Sequence, residues 1–95
     1  ITVTIEKNKI KASGHAGTAP KGQDLVCAAF TMLCHSLIES FRKLTADSFI
    51  YKIDSGSFYF ECALPSGQGE LLINSYIAGV QLLAASYPEY ITVQA

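Results

Sequence analysis

The chain has 95 residues, the size of one domain, so we expect residues 1–95 to form a single folding unit. Hydrophobic residues make up 49% of the chain and charged residues only 16%. Because that is apolar for a small protein, we expect a leftover apolar face to be covered in a homodimer. The net charge of −1 and the scattered lysines and arginines argue against nucleic acid as a partner.

The cysteines and the apolar segments indicate a cellular location. Three cysteines cannot all pair within one chain. No apolar run approaches the roughly 20 residues of a spanning helix. The start, Ile1–Ile10, is typical of a strand rather than of a signal peptide. We therefore expect a cytoplasmic protein with reduced thiols and no membrane partner.

The first third of the chain predicts two strands, a loop and a long helix. Alternating β-branched residues predict a strand at Ile1–Ile5, and Ile10–Ser13 continues as a second strand after a turn. A loop with three glycines and a proline follows over 14–23. Asp24 is predicted to cap a helix that runs to about Lys43. Its core side is predicted to include Val26, Ala29, Phe30, Leu33, Leu37 and Phe41.

The remainder predicts a hairpin, a second helix and a last strand. Residues 48–54 and 57–64 form the hairpin across Ser55-Gly56, and its aromatic residues suit either a core or an apolar peptide. A loop precedes a helix over about 70–86, and residues 90–93 close the chain as a strand. The order ββαββαβ predicts an α+β domain, an antiparallel or mixed β-sheet with two α-helices against it.

Cys27 and His15 have the residue types of a cysteine hydrolase. A cysteine near a helix N-terminus is favoured as a thiolate by the partial positive charge there. At the third residue after an Asp24 cap, its thiol is expected to lie among unpaired backbone N–H groups that suit an oxyanion. His15, across the glycine-rich loop, has the chemistry of a general base. Considered alone, the cysteine is more typical of a small buried hydrophobe, and the histidine is more typical of an exposed loop.

Two neighbouring side chains have both structural and functional interpretations. Asp24 is expected to act as a cap and to contribute to orienting His15. Thr31 lies four residues after Cys27 and therefore shares its helix face. Its hydroxyl either hydrogen-bonds near the site or bonds to the backbone of its own helix.

The other soft ligands raise the question of a metal. His15, Cys27, Cys34, His35 and Cys62 together contain enough ligands for zinc. Their spacing matches no compact zinc motif, so we expect no metal and no cofactor. Cys34 is predicted to be packed, His35 to lie on the surface and Cys62 to lie in the strand core.

The segment from Gly14 to Ala28 resembles the ribosomal-processing cysteine protease family, Prp. The matching residues are Gly14-His15-Ala16, then Gly22, then Asp24-Leu25-Val26-Cys27-Ala28. By this resemblance His15 is the base and Cys27 the nucleophile of a catalytic dyad. The family usually has a serine where this chain has Thr31. The residues expected to support the dyad or contact substrate are Asp24, Thr31, Gly14, Ala16, Gly17, Gly22 and Ala28.

The resemblance implies a function. It implies a cytoplasmic cysteine endopeptidase that removes the N-terminal extension of a large-subunit ribosomal protein, the one numbered twenty-seven, during ribosome assembly. Phage relatives trim capsid or scaffold proteins, which gives an alternative substrate. A second alternative is a non-catalytic dimeric module that binds an apolar peptide without cutting it. A thiol redox protein is disfavoured because the chain has no Cys-x-x-Cys.

Overall fold

The computed structural model describes the backbone of residues 1–14 and 21–95, and the side chains of residues 1–14 and 25–95. Within these ranges the elements follow the predicted order ββαββαβ. They are β1 (Thr2–Glu6), β2 (Lys9–Ser13), α1 (Lys21–Leu44), β3 (Ile50–Asp54), β4 (Ser57–Glu61), α2 (Gly67–Ser86) and β5 (Thr92–Gln94).

The strands form one five-stranded sheet in the order β3-β4-β2-β1-β5. β1 and β2, β2 and β4, and β3 and β4 are antiparallel pairs. β5 returns across α2 and pairs with β1 in parallel. The sheet is therefore mixed, and the predicted α+β fold with two helices is confirmed.

One face of the sheet carries the core and the other faces solvent. Val3 lies opposite Ala12, which lies opposite Phe58, and all three are buried. Ile10 is opposite Phe60, and both are buried. Because side chains alternate between the faces of a sheet, Lys11 points to the open face together with Thr4 and Tyr59, which lie opposite it on the two adjacent strands.

Helix α1 begins earlier than its cap signal predicted. Its first residue is Lys21, so Asp24 is the fourth helical residue and not the cap, and Gly22 lies in the helix rather than in the loop. A proline, Pro20, stands directly before Lys21 in the sequence, and proline is favoured at helix starts because no N–H is needed there. A first-turn aspartate is also favourable without capping, through the helix dipole.

The buried side of α1 mostly follows the predicted pattern. Val26, Phe30, Leu37 and Phe41 are buried, together with Cys34 and Ile38. The prediction for Ala29 is wrong, because this residue is exposed. Leu33 is half-buried because it packs on the neighbouring helix: a Cβ added at Gly79 would lie 3.1 Å from Leu33 Cδ2. Gly79 therefore permits the close approach of α1 and α2.

One segment of the described residues, Leu25–Leu44, is long and apolar enough to span a membrane. The expectation that no run has this length and composition is therefore wrong. Core helices of globular domains meet the same criterion. Here Phe41 packs edge-on against Phe60 of the sheet with ring centroids 5.0 Å apart, so the apolar side of the helix has a protein partner.

Helix α2 begins at Gly67, three residues earlier than predicted, because Ser66 caps it. The Ser66 hydroxyl accepts a hydrogen bond from the Gly69 amide at 3.1 Å and donates to Asp47 Oδ2 at 2.8 Å. The Ser66 amide also donates to Asp47 Oδ2, at 2.9 Å. This cap depends on a carboxylate 19 residues upstream, which local sequence does not reveal.

The ends of the shorter strands also differ from the prediction. β5 begins at Thr92 rather than Tyr90, because the Tyr90 amide donates to the Tyr87 carbonyl in a turn after α2. β3 and β4 pair from Ile50 opposite Glu61 to Asp54 opposite Ser57, so the outer ends of the predicted hairpin lie beyond the pairing.

Replacing Ser66→Ala removes the cap of α2 and leaves Asp47 without a hydroxyl donor. We expect the free energy of unfolding to fall by about 1–2 kcal/mol, measured by urea denaturation. Ser75→Ala, at an exposed position in α2, is the matched control and is expected to change it by less than about 0.5 kcal/mol. Equal losses in the two variants would contradict the capping role.

Candidate active site

A cavity of about 530 Å³ lies between α1 and the β3–β4 hairpin. Its walls are apolar at the floor and polar at the rim. The floor includes Ala12, Phe30 and Phe58, and the rim includes Thr31, His35 and Asp54. The remaining described residues that line it are Ile1, Gly14, Cys27, Cys34, Ile53, Ser55, Gly56 and Ser57.

Cys27 lies on the α1 side of this cavity and is half-buried. Since α1 begins at Lys21, Cys27 is the seventh helical residue and not part of the first turn. Its own N–H is therefore committed to the helix, and the prediction that Cys27 lies in the first turn, three residues after a cap at Asp24, is wrong. The free amides of the helix belong to its first four residues, one turn closer to the N-terminus.

Thr31 lies next to Cys27 along the helix and also lines the cavity. Its hydroxyl donates a 2.7 Å hydrogen bond to the Cys27 carbonyl. Of the two sequence interpretations, the structure therefore shows the bond to the helix backbone. Ala28 is exposed and is not among the described residues that line the cavity.

Gly14 is the last described residue before His15, and its position is fixed by the hairpin. Its amide donates a 3.0 Å hydrogen bond to the Gly56 carbonyl. Both glycines have positive φ, 93° for Gly14 and 85° for Gly56, a conformation that side-chain-bearing residues rarely adopt. The segment that leads to His15 is thereby tied to the tip of the β3–β4 hairpin at the edge of the cavity.

His15, Ala16 and Gly17 lie outside the described residues, as does the side chain of Asp24, whereas Gly22 is described only as part of the α1 backbone. The predicted contact between His15 and Cys27 therefore stays a prediction. His35, as predicted, is exposed.

The chain's other histidine, His35, lines the same cavity as Cys27 but cannot be its base. It lies eight residues further along the same helix. At 1.5 Å per residue this places the two Cα atoms about 12 Å apart. Side chains in contact on a helix are three or four residues apart, so the imidazole does not reach the Cys27 thiol.

Cys34 and Cys62 are buried, as predicted, and differ in this from Cys27. Burial raises the pKa of the Cys34 thiol to about 12, and the contact of its Sγ with Tyr76 Oη at 3.4 Å offsets this rise only in part. Burial also raises the pKa of Tyr76 and, together with the charge of Asp47, the pKa of Cys62. The thiols of Cys34 and Cys62 are therefore kept in the neutral form.

The described part of the chain contains no group of three histidine, cysteine, aspartate or glutamate side chains placed to hold a metal ion. His15 and the Asp24 side chain lie outside that part, so the absence of a metal stays a prediction.

The hairpin wall of the cavity was not anticipated from the sequence. Asp54, Ser55 and Ser57 carry turn signals only, and their place beside α1 follows from the pairing of β4 with β2. Phe58 is part of the core and also of the cavity floor, so the core interpretation of the aromatic strand is confirmed for this residue, and contact with a peptide stays a prediction.

Sequence comparison links the chain to proteases. Residues 1–92 match the family model described as cysteine protease Prp. A curated relative, the ribosomal processing cysteine protease Prp of Mycoplasma pneumoniae, is 31% identical over 96 residues. The match covers 99% of this chain and 93% of that relative.

Solved structures have the same fold. The essential ribosomal processing protease Prp from S. aureus, in complex with a covalently linked product peptide, superimposes with a TM-score of 0.83 at 19% identity, covering 98% of this chain and 94% of that one. The S. aureus protein with a substrate peptide gives 0.80 at 17% identity over the same shares of the two chains. SMU.848 from Streptococcus mutans gives 0.81 at 24% identity, covering 98% and 89%.

The difference in burial predicts which thiol reacts. We expect iodoacetamide at pH 7.5 to alkylate Cys27 roughly tenfold or more faster than Cys34 or Cys62, because buried thiols with raised pKa values contain little thiolate. Peptide mass spectrometry after timed quenching measures the three rates. The urea-unfolded chain, in which all three are accessible, is the control, and equal rates in the folded protein would contradict the assignment.

Proposed function

The chain belongs to the Prp family of cysteine proteases, and on this premise we propose that it is an endopeptidase with Cys27 as nucleophile and His15 as base. The observation that carries the proposal is the cavity beside Cys27. Among the three cysteines, Cys27 is the one that is not buried, and it lies at a cleft with an apolar floor.

The choice of His15 as base is supported by the exclusion of His35 and by the fixed position of Gly14, the residue before it. The sequence has two histidines, and helix geometry removes His35. Gly14, directly before His15, is held at the cavity edge by its bond to Gly56. A short link from a fixed residue is what a general base needs to reach the thiol.

The proposed reaction is acyl transfer through a thioester. His15 takes the proton of the Cys27 thiol, and the thiolate attacks the scissile carbonyl carbon. The free amides of the first turn of α1 are the nearest helix donors to the resulting oxyanion. Collapse of this intermediate breaks the C–N bond, and His15 gives its proton to the leaving amine. Water then hydrolyses the thioester, which releases the acid and restores the thiol. No cofactor takes part in these steps.

For the substrate, we propose the N-terminal extension of the large-subunit ribosomal protein numbered twenty-seven, cut in the cytoplasm during ribosome assembly. The relatives from Mycoplasma pneumoniae and S. aureus are ribosomal processing proteases, which supports this choice. The S. aureus structure with a substrate peptide supports a peptide as the ligand. The apolar cavity floor suits apolar side chains in such a peptide.

The test is mass spectrometry of a peptide that spans this extension, incubated with the unmodified protein and with Cys27→Ala. We expect one cut, made by the unmodified protein alone. His15→Asn is expected to lower kcat/KM by about 100-fold or more, because the base is lost. His35→Asn, the matched control, is expected to lower it by less than about fivefold, since it leaves Cys27 and His15 in place.

Other outcomes would redirect the assignment. Binding without a cut would favour the non-catalytic peptide-binding module. A cut in a phage capsid or scaffold peptide, but not in the ribosomal one, would favour the phage-type role. A 100-fold loss in His35→Asn but not in His15→Asn would overturn the proposed base.

We further propose a homodimer, in which the groove between α1 and α2 faces a second copy. This groove is apolar, and Met32 and Leu82 on its borders are 67% and 70% exposed. An exposed apolar groove in a chain that is 49% hydrophobic is the surface that a second copy covers.

Sedimentation velocity tests the dimer. We expect the mass of the unmodified protein to be twice 10.2 kDa and that of Leu82→Glu to be 10.2 kDa, because a charge in the groove opposes burial. Leu64→Glu changes a leucine that is 88% exposed outside the groove and is expected to stay dimeric. A monomeric unmodified protein would contradict the proposal.

A further inference from the structure

Strand β3 is one edge of the sheet, and its free edge continues the active-site cleft. The sheet order begins with β3, whose single neighbour is β4. The last residues of β3, Ile53 and Asp54, line the cavity that contains Cys27. An edge strand with unpaired backbone groups is a template for another extended chain.

The backbone groups available on this edge follow from the hairpin. Asp54 and Ser57 flank the two-residue turn, so they form a hydrogen-bonded pair. Hydrogen-bonded and non-hydrogen-bonded positions alternate along antiparallel strands. The N–H and C=O groups of Ile53 and Tyr51 therefore point away from β4. Neither residue's backbone makes a further backbone hydrogen bond within the described residues.

One flank of α1 faces the same edge. Cys27, Thr31 and His35 follow one another at intervals of four residues and form a row along this flank. Further along the same side, Arg42 Nη2 donates a 2.6 Å hydrogen bond to the hydroxyl of Tyr51 in β3. Its guanidinium carbon also lies 5.4 Å from the centre of the Tyr51 ring. The flank of α1 and the edge of β3 thus lie side by side from the cavity to the Arg42–Tyr51 contact, and we call the space between them the groove.

The groove has a definite length. The Arg42–Tyr51 contact closes one end, and Cys27 lies 15 residues earlier in the helix. At 1.5 Å per residue the distance is about 22 Å. An extended peptide rises about 3.3 Å per residue, so six or seven residues fill the groove. The residues that reach β3 are about four to seven positions from the bond at Cys27.

Building on the proposed function, we propose that the substrate binds in this groove as an added β-strand, hydrogen-bonded to Ile53 and Tyr51 on the free edge of β3. Main-chain bonds then supply affinity, and alternate side chains enter the apolar cavity. The occupant is the extended segment on one side of the scissile bond. Cleavage consequently requires about six residues on that side.

A backbone scan of the substrate tests the proposal. Each residue from two to eight positions on either side of the cut is N-methylated in turn, and kcat/KM is measured for every peptide. Strand pairing predicts a period of two on one side: methylation of an amide directed at β3 lowers kcat/KM about threefold to tenfold, and methylation of the next does not. Losses without alternation, or no losses beyond three residues from the cut, would overturn it.

Two variants of one residue test the enzyme side. Ile53→Pro removes an outward N–H without breaking the bonds to β4, because proline is tolerated on an edge strand at such a position. Ile53→Ala removes the side chain but keeps the N–H. We expect Ile53→Pro to have a kcat/KM about threefold to tenfold below that of Ile53→Ala on the long peptide. The two variants are expected to have equal kcat/KM on a peptide shortened to three residues on the β3 side. Equal kcat/KM of the two variants on the long peptide would overturn the strand pairing.

The peptide used is the ribosomal one if it is cut, and otherwise the best-cut member of a random peptide library. A peptide that is cut without the alternation overturns the strand pairing and leaves the protease assignment intact. No cleavage of any peptide overturns both. Thermal unfolding of the two Ile53 variants, which is expected to give similar midpoints, separates lost pairing from lost folding.

Discussion

The orientation of α1 about its own axis, which decides the side chains that face the core, is the constraint on which the site depends. Phe41 fixes it: its ring is fully buried between Phe49 and Phe60, with centroids 5.4 and 5.0 Å away. With Phe41 and Val26 directed into the core, Cys27 lies at the boundary of the buried face. A thiol there is in contact with the protein on one side and open to the cleft on the other. Core packing thus determines which cysteine is available for chemistry.

Local pattern predicted most of the fold, and long-range contacts explain what it missed. The alternation around Val3 and the three-to-four spacing around Phe30 gave the strands and the helix with the right order. The start of α2 was missed because Ser66 acts with Asp47, which is distant in sequence. Ala29 was assigned to the core because spacing alone does not say how far the neighbouring helix extends over α1.

The site was also predictable only in part, because one wall is visible in local sequence and the other depends on long-range pairing. Cys27 was recognisable from its motif, and the structure places it in a cavity. The opposite wall, with Asp54 and Ser57, depends on the register between β2 and β4, in which Ser13 lies opposite Ser57. That register brings the hairpin tip to Gly14 and so to the segment that leads to His15. A sequence read element by element contains no signal for such a contact.

The contrast between Cys27 and Cys34 shows how a single helix sets two thiols apart. They are seven residues, about two turns, apart on α1 and both line the cavity, yet Cys27 is half-buried whereas Cys34 is buried in contact with Tyr76. Because Cys34 and Cys62 are both buried, we expect the folded protein to offer one thiol to thiol-selective reagents. A folded molecule is therefore expected to take up one thiol label and an unfolded molecule three, so the moles of label per chain report the folded fraction of a preparation. Oxidation of cysteine in the folded protein is expected at a single sulfur, whose early oxidation states thiols reverse.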